Sequence, residues 1–281
     1  AGGICHLLFE GRGAGRDKIE THLARGRSVY HFAAHRPDHF RPLAPVGDLA
    51  AGNCVWKLNE VSELKMKATQ NLIQTFITAA QNVSAIVSQV STMTQAFEYT
   101  VDLCERKEAC QLLMAGCQEP LSIPSEDLCK QKQKKVVAAP LLDTDEANQL
   151  LELCETRGIS FIRDGLRDHL TGIDIGFTVA DYGIAETGTL VLDSSSEELR
   201  LATMVSEVHV AVLPKDRIRA SAFELEADLR KMMGASPNYA AFITGASRTA
   251  DIERVLALGV HGPLELHILL LEENACNRPK I

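Results

Sequence analysis

The segment Gly183-Ile184-Ala185-Glu186-Thr187-Gly188-Thr189 sets a carboxylate, two hydroxyls and two glycines directly before the apolar run Leu190-Val191-Leu192. Glycines let backbone amides turn towards an oxyanion, and a carboxylate beside them can serve as base or nucleophile. Glu186 is therefore a candidate catalytic group, with Thr187, Gly188 and Thr189 as candidate ligand-binding residues. Asp181, upstream beside Tyr182, adds a second carboxylate where a plain core strand would alternate apolar and polar residues. The same segment also reads as a simple turn in which Thr187 and Gly188 only satisfy geometry. Further on, Gly245-Ala246-Ser247-Arg248-Thr249 follows an apolar run and carries small residues, two hydroxyls and a cation. Gly245 and Ser247 suit an anion, Arg248 could grip one with two hydrogen bonds, and Thr249 could N-cap a short helix whose first amides face it. A cap without any ligand uses the same residues. In Gly259-Val260-His261-Gly262-Pro263 an imidazole sits between glycines, where His261 could transfer protons as an acid near neutral pH. His209 and His267 lie in apolar strand patterns and read as satisfied core or edge residues.

These groups need elements to position them. From Met66 the residues Leu72, Ile73, Phe76, Ile77, Ala80, Val83, Ile86, Val87, Val90, Met93 and Phe97 recur at spacings of three and four, the pattern of one long amphipathic helix. Its stripe can pack within the chain or against a second copy, which leaves homo-oligomerisation open. Strand and helix signals then alternate. Strands are expected at 135–139, 159–162, 189–192, 208–213, 239–243 and 266–271, and helices at 146–157, 197–205 and 223–233. Continuous apolar strands such as Val208-His209-Val210-Ala211-Val212-Leu213 read as covered on both faces. The expected fold is α/β, a three-layer α/β/α sandwich with a mainly parallel sheet. In such sheets ligands sit beyond the carboxyl ends of the strands, which is where the three loops are expected.

Composition narrows the function classes. With 46% hydrophobic residues and a formal charge of −8, the 281-residue chain can bury a core, and no basic stripe with interleaved aromatics marks a nucleic-acid surface. Lys130 to Lys135 is a short basic run suited to a solvated loop. The apolar runs fall far short of the roughly 20 residues that a membrane helix needs. No secretory leader pattern is seen, so a cytoplasmic location is expected. The eight cysteines contain no C-x-x-C pair, and Cys104, Cys110, Cys117 and Cys129 match neither a zinc ribbon nor a ferredoxin run. No metal site is read, and the residues call for no cofactor. Gly11-Arg12-Gly13-Ala14-Gly15 does not complete a dinucleotide fingerprint, and Pro37 interrupts the His31, His35, His39 series.

Residues 1–65 stand apart, with five of the nine histidines, eight of the nineteen glycines and the only tryptophan. They read as an N-terminal extension, either an appendage of the protein or a stretch preceding a natural start at Met66. Residues 66–134 are expected to be a helical segment packing on the main domain, and 135–281 the α/β domain itself.

The blocks Asp174 to Asp193 and Gly245 to Glu253, with Gly259 to Pro263, resemble the lactate utilisation (LUD) domain family over roughly Lys135 to Glu272. The resemblance implies a fold similar to the sugar-phosphate isomerase and CoA-transferase superfamily. It implies an accessory subunit of an L-lactate oxidation system that works with iron–sulfur partner proteins and holds a small anionic ligand or a partner. The alternative is an enzyme of CoA-transferase or sugar-phosphate isomerase type, with Glu186 as nucleophile or base, Asp181 as its neighbour and His261 as acid.

Overall fold

The computed structural model describes residues 51–107, 134–169, 172–234, 238–249, 257–258 and 262–272, and the side chains of these except 51–62, 64, 65, 249, 257 and 258. His261, the histidines at 31, 35 and 39, Cys110, Cys117, Cys129 and most of the basic run lie outside the described residues. The chain divides into two units, Arg12–Lys67 and the remainder, with the boundary inside helix α1 (Ala51–Asn82). The larger unit holds every strand among the described residues.

Its centre is a six-stranded, all-parallel sheet in the order β1-β12-β7-β4-β2-β3, formed by β1 (Ile86–Val90), β12 (Glu265–Leu271), β7 (Val208–Pro214), β4 (Ile175–Val179), β2 (Val136–Ala138) and β3 (Ser160–Ile162). The side-chain period of two sorts the strands between two faces. Val208, Val210 and Val212 of β7, with Ile175 and Phe177 of β4, pack under helices α2 (Met93–Arg106) and α3 (Thr144–Thr156) through Phe97, Val101, Leu150 and Cys154. Ala211 and Leu213, with Leu266, Ile268 and Leu270 of β12, face the opposite side. That side is covered by Phe76 and Ala80 of α1, by α4 (Glu197–Met204) through Leu199, and by a second sheet. The expected α/β class and mainly parallel sheet are thus present, and helices lie on both faces.

The second sheet is a feature the periodicity did not reveal. β8 (Ile218–Arg219), β5 (Tyr182–Ile184), β6 (Thr189–Asp193) and β9 (Ala240–Ile243) join in the order β8-β5-β6-β9, with β6 antiparallel to both its neighbours. The runs at 189–192 and 239–243 are therefore strands, but they do not extend the parallel sheet. Short strands such as β5 carry too few residues for an alternation to stand out.

The long helix expected from Met66 through Phe97 ends at Asn82. Ala85 N–H closes the last turn by donating to Ala80 O at 3.0 Å, and Ser84 takes a left-handed φ of 64°. β-branched Ile86, Val87 and Val90 then pair with β12, so residues upstream of 135 contribute a strand to the main sheet. α2 restarts behind a local cap, with Thr92 Oγ1 accepting from Gln95 N–H at 3.3 Å while Gln95 Oε1 accepts from Ser91 N–H at 2.8 Å. α3 is capped by Asp143, which accepts from Glu146 N–H at 2.8 Å. The helix expected at 223–233 begins as a 3-10 turn at Ala222–Leu225 before α5 (Glu226–Met232).

Candidate functional site

The first predicted loop is the turn between β5 and β6. Glu186 is exposed, and its Oε1 accepts from Ala222 N–H at 3.3 Å. Asp181 lies at the other end of β5, where its Oδ2 accepts from Asp193 N–H at 2.7 Å and its own amide donates to Val191 O at 2.9 Å. Five residues of nearly extended chain separate the two carboxylates, roughly 15 Å along a strand. The structure does not set Asp181 beside Glu186. It uses Asp181 to fasten the end of β6.

The second loop does meet the first. Thr187 Oγ1 lies 2.7 Å from Thr189 Oγ1, which lies 2.7 Å from Thr244 Oγ1, so a file of hydroxyls joins the β5–β6 turn to the end of β9. Gly188 presses on the last turn of α1 and Gly245 on Val83 just beyond it, with φ of 63° and 78°. A Cβ at Gly188 would stand 2.2 Å from Ala80 N, and one at Gly245 would stand 2.2 Å from Val83 O. Glycine is required at both positions by conformation and by contact. The expected helix cap at Thr249 is absent, because Arg248–Thr249 is a two-residue strand, β10, paired antiparallel with β11 (Ala257–Leu258). Extended backbone there cannot present the first amides of a helix. Arg248 is half-buried and makes no ion pair among the described residues.

Ser247 turns the loop towards the main sheet. Its amide donates to Pro263 O at 2.9 Å, and Pro263 stands just before β12. A narrow cleft results, between Thr203 and Met204 at the end of α4, the loop Gly245 to Ser247, and Gly262 with Pro263. His209 and Leu266, each the second residue of its strand, form the floor. The cleft lies at the amino edge of the parallel sheet, opposite to the carboxyl edge where the rule for open sheets places ligands. The reason is that β9 belongs to the antiparallel sheet, and its outgoing loop runs back towards the start of β12.

His209 is the residue that reading the sequence as a core position misses. It is 1% exposed, its Nε2 lies 2.8 Å from Thr178 Oγ1, and its buried Nδ1 has no hydrogen-bond partner. Burial lowers its pKa from 6.5 to about 4. The signal was the polar pair itself, Thr178 and His209, on the inner faces of two otherwise apolar strands. His267 fits the core reading: Nδ1 lies 2.8 Å from Tyr99 Oη and Nε2 lies 2.8 Å from Glu265 Oε2.

A buried ionic cluster also sits at the amino edge. Lys107 Nζ bridges Asp174, at 3.0 Å, and Glu207, and Asp174 Oδ2 accepts from Val136 N–H at 2.8 Å. The cluster joins the end of α2 to the starts of β2, β4 and β7, and the two carboxylates raise the Lys107 pKa against the opposing effect of burial. Among the described residues, no group of three or more His, Cys, Asp or Glu side chains is placed to hold a metal ion, and no helix is long and apolar enough to cross a membrane.

A family model, the LUD domain, matches residues 73–271. Over 103 residues the chain is 38% identical to lactate utilization protein C of Halalkalibacterium halodurans, covering 36% of this chain and 45% of that protein. Over 118 residues it is 37% identical to an uncharacterized protein of Neisseria meningitidis serogroup B, covering 38% of this chain and 51% of that protein. The match thus spans about half the length of these relatives. A crystal structure of a DUF162 family protein from Deinococcus radiodurans aligns with a TM-score of 0.45 at 17% identity, over 72% of this chain and 98% of that one.

Proposed function

The chain belongs to the LUD domain family, since the family model runs across 73–271, and from this we propose that it serves L-lactate utilisation as an accessory subunit beside iron–sulfur partner proteins. The observation that carries the reading is the identity of 38% and 33% over about a hundred residues with proteins named lactate utilization protein C. Geometry supports an accessory role over an independent enzyme. Glu186 and Asp181, which the enzyme alternative sets side by side, stand at opposite ends of β5 and each accepts a backbone N–H. In this reading the electrons of lactate oxidation pass to the cluster-bearing partners, and this chain contributes binding.

Deleting the gene in its source organism tests the role. Growth on L-lactate as sole carbon source is expected to fail and to return when the full chain is supplied. Affinity purification of the full chain from lactate-grown cells is expected to bring down iron-containing proteins. Unimpaired growth on L-lactate overturns the reading. So does turnover of a CoA ester or sugar phosphate by the purified chain that Glu186→Gln abolishes.

A further inference from the structure

We infer that the cleft at the amino edge of the parallel sheet binds a small monocarboxylate, a 2-hydroxy or 2-oxo acid, by one carboxylate oxygen. The tautomer of His209 decides what the cleft floor offers. With its pKa lowered to about 4, the imidazole is neutral near pH 7 and carries one N–H. Thr178 is 1% exposed and its hydroxyl makes a single hydrogen bond among the described residues, to His209 Nε2. If Nε2 held the proton, it would donate to Thr178, leaving the threonine hydrogen without an acceptor and the Nδ1 lone pair without a donor. If Thr178 donates to Nε2, both groups at that bond are satisfied and one N–H is left over. Buried polar groups are rarely left unmatched, so the second arrangement wins. It leaves a buried Nδ1–H without an acceptor, on a residue that lines the cleft.

The walls offer more donors. The amides of Gly245 and Ala246 find no acceptor among the described residues, although both residues are buried. Gly245, at φ of 78°, lies in the left-handed region, where successive amides form a concavity that receives anions. The Ser247 side chain lines the same cleft and makes no hydrogen bond among the described residues. A site rich in donors selects an acceptor oxygen. The inner space has room for about one water-sized atom, so the rest of the ligand stays in the mouth. There Met204, 42% exposed, presents apolar surface to a short alkyl group, and buried Ile243 and Pro263 complete the apolar lining. Choosing a carboxylate among oxyanions rests on the proposed role in lactate utilisation; the unmatched donor at Nδ1 does not.

The test uses the full chain with ¹⁵N-labelled histidine, titrated separately with L-lactate, pyruvate and inorganic phosphate while the His209 Nδ1–H resonance is followed. His209→Gln assigns the signal by its loss. Saturable shifts with L-lactate and pyruvate are expected, with affinity weakened about tenfold in Ser247→Ala, since a hydrogen bond to a charged group contributes roughly 1.5 kcal/mol or more. Ser247→Ala removes only a hydroxyl, so a folded variant is available even if His209→Gln is unstable. A resonance that none of the three probes moves, as for a resident water only, overturns the inference. So does saturation by phosphate alone. Complementation separates this from the proposed function. Loss of lactate growth on deletion, restored by a wild-type chain whose His209 resonance no probe shifts, sinks the site and leaves the function standing. A carboxylate that binds as predicted to a chain whose deletion leaves lactate growth intact sinks the function and supports the site.

Discussion

The imidazole of His209 is held neutral by burial, and stability should report it. Its pKa is 6.5 when unfolded and about 4 when folded, so between those values the unfolded chain binds the extra proton. Stability therefore falls as pH drops from 6.5 towards 4, with a loss of roughly 3 kcal/mol across the window. Urea denaturation at several pH values should show this slope in the wild type and a flatter one in His209→Gln. Cys104 and Cys154 behave alike for a related reason. Burial pushes both thiols up to about 12, and only the thiolate reacts. Peptide mapping after iodoacetamide treatment at pH 8 should find both unmodified in native protein and modified in urea. At Gly245 the demand is steric. Gly245→Ala adds a Cβ 2.2 Å from Val83 O at a positive φ, and the expected loss is at least about 2 kcal/mol in a urea melt.

At the level of elements, the Lys107 cluster is the fastening with the most at stake. Lys107→Met leaves Asp174 and Glu207 buried without their shared cation, which should cost about 3–5 kcal/mol. Thermal melting is the check, and Asp174→Asn should act in the same direction because it removes one of the two buried charges facing Lys107. Much of the element order was legible in the sequence. β2, β3, β7, β12, α3 and α4 lie where apolar runs and caps place them, because long buried strands and capped helices announce themselves locally. β1 did not, since Val83, Ile86, Val87 and Val90 satisfy helical spacing and only pairing with β12 makes Ile86–Val90 a strand. The candidate site was legible in part. Gly245 and Ser247 were visible as a polar loop, yet nothing local shows that this loop folds back to the amino edge over His209. That placement comes from β9 joining an antiparallel sheet, a long-range fact without periodicity.

Across the larger unit as a whole, the segment before α2 is integral. Phe76 and Ala80 are fully buried in the core that α1 shares with β6, β7 and β12, and β1 covers one side of β12 through five paired residues. A fragment of 68–272 is expected to melt cooperatively by circular dichroism, whereas one of 93–272 should lose cooperativity or aggregate, because it bares the edge of β12. Among the described strands β12 comes last along the chain, yet it lies between β1, the first, and β7. A ribosome must therefore release nearly the whole larger unit before β1 can join the other strands of the sheet, and β1 waits with its hydrogen-bonding edge open until Glu265–Leu271 emerges. Such distant pairing slows folding and exposes the nascent chain to association with others. Slower synthesis of the stretch between them should thus lengthen the interval in which newborn chains need chaperone protection.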